Sequence, residues 1–370
     1  MPGTVTLLLA GDVMCGRGVD QILPHPGGAR LREPYVRDAR DYVAMAEAQN
    51  GTIPRPVGFD WPWGVALSVL DEAAPDVRIV NLETSITTSR DYAPGTNIHY
   101  RMHPANIGVL TAARIDACAM ANNHVLDFGV RGLRESLDVL TATDLRPVGA
   151  GLNDVQAWRP AIVQAGAVRV LVWSIGAASS GIASSAIATA THPGVALLPD
   201  LSAATADRVL ERIDAVRELT DLVVVSVHWG SNWGYAVPDE QIRFAHCLVE
   251  GNVDVVHGHS SHHPRPLEIY RGRPVLYGCG DLVNDYEGLS GHERFRDDLR
   301  LLYLLEFEIG SHELRALRMV PLRVRRMRLE HTSAEEARWL REVLTNSSRP
   351  FGTRVGASEN DEVWLGSPTV

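Results

Sequence analysis

Five short clusters of Asp, Glu, Asn and His recur along the chain, each directly after an apolar run of strand length. They are Gly11-Asp12, Asn81-Leu82-Glu83, Asn122-Asn123-His124, His228-Trp229-Gly230 and the run from His257 to His263. These are the oxygen and imidazole donors suited to Mg, Mn, Fe or Zn, and the same groups serve as general acids and bases. A lone strand-end histidine is more often a satisfied structural residue. Five clusters in series are not explained that way, and in open α/β sheets ligands bind beyond the carboxyl ends of strands. The clusters are therefore expected to converge on one site.

The elements that must position them alternate between strand-length apolar runs and amphipathic stretches, the pattern of an α/β fold. Strands are expected at Thr4 to Met14, Val77 to Leu82, Ala117 to Ala121, Leu222 to Val227 and Val253 to Val256. Two more, within Ala161 to Ile175, are joined at Ala165 to Ala167. Helices are expected at Trp63 to Glu72, Pro104 to Ala113, Val130 to Ala142, Ala203 to Leu219, Glu240 to Glu250 and Ala334 to Leu344, with Leu133, Leu137 and Leu140 spaced as one helical face. Arg265 to Leu276 reads as a hairpin turning at Arg271-Gly272, and long strands follow at Leu299 to Phe307 and Leu314 to Arg328. The roughly 45 residues between the first strand and Trp61 are too many for a simple connection and are expected, with Arg90 to Met102, to help form a substrate cleft.

Composition narrows the chemistry. Of 370 residues 45% are apolar and the formal net charge is −10, which disfavours a nucleic-acid partner. All 35 basic residues are arginine. With no lysine, neither a pyridoxal Schiff base nor a Walker A phosphate loop can be built, so no organic cofactor of that kind is expected. The bias fits an actinobacterial source. Cys15, Cys118, Cys247 and Cys279 lie too far apart for a C-x-x-C pair and are expected to be free thiols. No apolar run approaches the roughly 20 residues of a membrane helix. The first ten residues lack a basic region and enter a core strand, so a cytoplasmic protein with no membrane partner is expected.

The order GDVM, NLET, NNH, HWG, GHSSH and GCGD resembles the CapA family of poly-γ-glutamate capsule-biosynthesis proteins, of the calcineurin-like metallophosphatase superfamily, over nearly the whole chain. The resemblance implies a four-layer αββα sandwich of two mixed sheets, residues 1–330, with a C-terminal helix and tail, 331–370, packed on it. It implies metal ligands at Asp12, Glu83, Asn123, His228, His259 and His262, with His124 completing the Asn-His pair. Two anchors depart from the superfamily pattern: Asp12-Val13-Met14 replaces Asp-x-His, and Asn81-Leu82-Glu83 replaces the bridging Gly-Asp-x-x-Asp. The metal (Mn, Mg, Ca or Zn) is then not required in every reading.

Two activities are consistent with this pattern. The first resembles the lasso-peptide epimerases of actinobacteria: inversion of the α-carbon of a C-terminal residue, such as tryptophan, of a peptide substrate. Two opposed bases, Asp12 and His292, exchange the proton while the strand-end polar groups stabilise the enolate. His292 lies on a glycine-punctuated loop directly after GCGD. The second is metal-assisted hydrolysis of a phosphoester, with His124 protonating the leaving group, or a poly-γ-glutamate-related role in the same pocket. In either, Trp229, Trp233, Tyr286 and Arg101 are expected to line the substrate recess.

Overall fold

The computed structural model describes residues 3–357 and 363–365. Its principal strands are, in chain order, β1 (Thr4–Val13), β2 (Val77–Leu82), β3 (Ala117–Ala119), β4 (Arg146–Val148), β5 (Ala161–Ala165), β6 (Val168–Gly176), β7 (Leu222–His228), β8 (Val255–His259), β9 (Leu267–Tyr270), β10 (Arg273–Leu276), β11 (Asp281–Val283), β12 (Leu299–Glu308) and β13 (Leu314–Val324). The principal helices are α1 (Arg17–Ile22), α2 (Arg40–Asn50), α3 (Ala66–Ala73), α4 (Gly129–Ala142), α5 (Ala203–Asp214), α6 (Asp239–Glu250) and α7 (Ala334–Ser348).

Two mixed sheets result. The first runs β13-β12-β1-β2-β3-β4, with β1 to β4 parallel, β12 and β13 antiparallel, and β11 pairing with the end of β1. The second runs β9-β10-β8-β7-β6-β5, with β6, β7, β8 and β10 parallel. Side chains alternate faces along a strand. Val5, Leu7 and Leu9 of β1 thus pack toward Leu222 and Val224 of β7 and Val255 of β8 in a core between the sheets, while Leu8 and Ala10 face the helices. Val223, Val225 and Val227 turn outward onto α5 and α6. The result is the expected αββα sandwich. Leu340 and Leu344 of α7 join the inter-sheet core, and the last residues of the expected tail lie outside the described residues.

The alternation also aims the chemistry. Ser226 and His228 continue the face of Leu222 and Val224, and His257 and His259 continue that of Val255. Register sets Ser226 beside His257 and His228 beside His259. All four are buried and turned toward the first sheet. There β1 shifts register between Ala10 and Asp12, and Gly11 passes so close to Gly280 that a Cβ would lie 1.7 Å from its carbonyl oxygen. Only glycine fits there, and Asp12 N donates to Gly280 O at 3.0 Å.

The sequence reading missed α1 and α2, which lie in the long connection after β1, and overran α5, which ends at Asp214 rather than Leu219. The stretch Pro104 to Ala113 is a 3-10 turn followed by a five-residue helix. Val253 to Val256 is displaced: the strand runs from Val255 to His259, so its histidines are part of it. Among the described residues no helix is long and apolar enough to cross a membrane.

Candidate metal centre

The parallel strands of both sheets end at one place, and the polar clusters meet there. Asp12 is fully buried; its Oδ1 accepts from Asn81 Nδ2 at 2.7 Å, and the same amide reaches Glu83 Oε2 at 2.9 Å. Asn122 holds Asn81 in turn. Asp12 Oδ2 is buried with no hydrogen-bond partner. Burial, followed by the charge of Asp281, pushes the Asp12 carboxyl up to about 7. Burial and then Asp12 push Glu83 well above the carboxylate range. In the absence of a cation these crowded carboxyls hold a proton.

The imidazole tautomers follow from one fixed partner. His257 Nε2 lies 3.0 Å from the Ala10 carbonyl oxygen, which only accepts, so Nε2 carries the proton. Burial lowers His257 to about 4, so its ring is neutral and Nδ1 is an acceptor. Ser226 Oγ, 3.1 Å away, donates to it and must then accept from His259 Nε2 at 2.8 Å. Burial holds His259 neutral as well, which leaves its Nδ1 with a bare lone pair. On the other side, His228 Nε2 donates to Asn123 Oδ1 at 2.8 Å, and burial keeps His228 neutral, so its Nδ1 is also bare. The two bare nitrogens face each other at 2.7 Å. Two lone pairs at that distance repel unless a cation shares them, and Asp12 supplies a carboxylate oxygen within 4.8 Å of both. The donor set fits a divalent ion of the Mn or Zn type.

A second group, Asp12, His262 and Asp281, shares the same carboxylate. It is internally satisfied: His262 Nδ1 meets Asp281 Oδ1 at 2.9 Å, Asn284 donates to Asp281 Oδ2 at 2.6 Å, and Arg300 holds Asn284. Burial lowers His262, but the adjoining Asp281 outweighs it and the net shift is upward. The residue shared by both groups is Asp12. Glu83, expected at the bridging place, stands 4.0 Å from His228 Nδ1 and 3.8 Å from His124 Nε2.

Above this floor lies a cavity of about 250 Å³, lined among others by Glu83, Asn123, His124, His262, Trp233 and His292. His124 Nδ1 pairs with Asp127 Oδ2 at 2.8 Å, leaving Nε2 on the cavity side. Ser260, in the cavity wall next to His259, has φ +102, a strained conformation for a residue with a side chain and of the kind found at functional sites. Trp233 stacks on His292 with ring centroids 3.8 Å apart, and Tyr286 pairs its hydroxyl with Tyr100 at 2.6 Å.

Three expectations are corrected. Trp229 is not on the cavity wall; it is fully buried against Phe244, with its indole N–H on Tyr277 O. Arg101 points away from the cavity and donates to Ser89 O and Gly28 O. Asp12, like His228 and His259, is buried beneath the cavity rather than on its wall, where His292 lies. Sequence reasoning missed Asp281, although it ends the GCGD motif, and Asp127, three residues after His124. It also missed Ser226, whose signal was its place on the same strand face as His228. The thiols of Cys15, Cys118, Cys247 and Cys279 are free, and burial pushes that of Cys279 up.

The model of the family described as bacterial capsule synthesis protein PGA_cap matches residues 6–286. A probable polyglutamine synthesis accessory protein of Mycobacterium tuberculosis is 52% identical over 356 residues, 96% of this chain and 94% of that protein. The capsule biosynthesis protein CapA of Bacillus anthracis is 25% identical over 86% of this chain and 67% of its own length. The PGA biosynthesis protein CapA of Bacillus subtilis is 28% identical over 80% and 66%. A 5'-nucleotidase precursor from Thermus thermophilus is similar in structure with a TM-score of 0.49 at 17% identity, over 94% of this chain and 59% of that one.

Proposed function

The chain belongs to the bacterial capsule synthesis protein (PGA_cap) family, and we propose that within it this protein is a metal-dependent hydrolase acting on a glutamyl polymer. The observation that carries the reading is the pair of bare imidazole nitrogens on His228 and His259 beside the unpartnered Oδ2 of Asp12. A divalent ion, if bound there, would supply Lewis acidity and lower the pKa of a water. Asp12, His228 and His259 would hold it, and Asp12, His262 and Asp281 would hold a second, weaker one.

The chain's other residues do the remaining work. Asn81 fixes the rotamer of Asp12, and Asn123 and Ser226 fix the tautomers of His228 and His259. His124 delivers a proton from Nε2 to the leaving group, and Asp127 orients the ring through Nδ1. The relatives' names speak of polyglutamine and capsule synthesis, which supports this reading over α-carbon epimerisation.

The test is turnover by chelated protein on a γ-glutamyl anilide and on p-nitrophenyl phosphate, with and without added manganese. Loss on chelation and recovery with the metal is expected. Undiminished turnover after complete metal removal overturns the proposal.

A further inference from the structure

We infer that the two exposed hairpin arginines beside Tyr92, Arg30 and Arg32, form an exosite that docks a carboxylate-rich polypeptide and feeds it to the cavity; this rests on the glutamyl-polymer reading above. The hairpin between α1 and α2 closes through Ala39 N to Ala29 O and Leu31 N to Arg37 O. It carries Arg30 and Arg32 on exposed positions, with Tyr35 at its tip 97% exposed. The Arg32 guanidinium lies 4.2 Å from the Tyr92 ring centroid, Arg101 lies 5.9 Å from it, and the Tyr92 hydroxyl donates to Arg30 O at 2.9 Å.

Among the described residues, neither Arg30, Arg32 nor Arg101 forms an ion pair with a carboxylate. The hairpin's own acids are otherwise engaged: Asp38 pairs with Arg40, and Glu33 is buried on Arg17 and Tyr42. In a chain of net charge −10 this leaves a local positive surface. The Arg32 guanidinium, stacked on the Tyr92 ring, keeps free the in-plane N–H edge that receives a carboxylate in two parallel hydrogen bonds, whereas Arg101 has its terminal nitrogens on the Ser89 and Gly28 carbonyls and adds only its charge.

The patch is also placed correctly. Arg17 lines the catalytic cavity on one side and the hollow containing Arg30, Tyr92 and Arg101 on the other. Its own charge is compensated by Glu33 and Asp285, so it forms a wall rather than a competing anchor. A chain held by the hairpin arginines therefore lies one side chain away from the cavity.

The experiment is fluorescence anisotropy of labelled poly-γ-glutamate of defined length with the full chain, chelated so that no turnover intervenes. The double variant Arg30→Ala, Arg32→Ala is expected to bind about tenfold more weakly at low salt, with the difference closing at high salt. Arg30→Lys, Arg32→Lys keeps part of the affinity, and turnover of p-nitrophenyl phosphate is unchanged in both. Unchanged polymer affinity in the alanine variant overturns the exosite. So does equal competition by polyphosphate of matched charge, which would make the patch a general anion surface. Absence of turnover in the unmodified protein would count against hydrolysis alone, because the binding measurement does not depend on it.

Discussion

Ser226→Ala tests the tautomer argument without touching a ligand. The hydroxyl is fully buried and bridges His257 Nδ1 and His259 Nε2 at 3.1 and 2.8 Å. Its removal leaves two buried nitrogens short of a partner, about 1–3 kcal/mol each, or about 2–6 kcal/mol together. That is a large share of a typical stability of about 5–15 kcal/mol but leaves the fold intact. The functional effect comes from His259, which is freed to carry its proton on Nδ1, the nitrogen needed for the ion. Loss of such an orienting partner typically lowers metal affinity about 10–100-fold. Competition of manganese or zinc against a chromophoric chelator, alongside thermal unfolding, separates the two effects. If the variant is folded and binds the first metal equivalent as tightly as the unmodified protein, the chain of hydrogen bonds from Ala10 to His259 does not set the site and the reasoning fails.

Further outcomes follow from the same geometry. Asp127→Asn leaves His124 without its carboxylate partner and should lower kcat about tenfold or more, with metal content unchanged; a KM effect alone would contradict the general-acid role. His257 is buried, with a folded pKa of about 4 against about 6.5 unfolded, so it contributes about 3 kcal/mol that is fully present above pH 6.5 and lost as pH falls to 4. Asp12, pushed up to about 7, runs the opposite way, losing stability as pH rises from 4 to 7. Denaturant unfolding of His257→Asn beside the unmodified protein, from pH 4 to 7, isolates the first term as a shallower acid slope. His292→Ala removes a ring that stacks on Trp233 in the cavity wall, so a several-fold rise in KM with kcat nearly kept is expected. Abolished turnover would instead make His292 a proton carrier.

The layers of the fold were legible because nearly every core strand is a continuous apolar run ending in polar residues, as strands buried on both faces must be. The same runs located Asp12, Asn123, His124, His228, His259 and His262. Their roles were less legible, since they depend on which face and which neighbour each meets. Trp229 follows His228 in sequence but points to the opposite side of the sheet, into the helix layer. Asp281 acts at the site only because β11 lies beside β1, a pairing across 269 positions that no local spacing displays. Ser226 is an ordinary strand serine until register sets it against His257. The helices α1 and α2 were missed because the first is six residues long and the second has a weakly amphipathic sequence, Arg40–Asn50, that tertiary packing on Tyr42, Val43 and Ala46 makes helical.

The central claim is that Asp12, His228 and His259 form a cation site. Anomalous diffraction from crystals of the full chain grown with manganese tests it directly. The account predicts a peak within coordination distance of the two Nδ1 atoms and Asp12 Oδ2, strongest at this position and weaker between Asp12, His262 and Asp281. A saturating metal soak that leaves no peak there, with His228 Nδ1 and His259 Nδ1 still 2.7 Å apart, would contradict it.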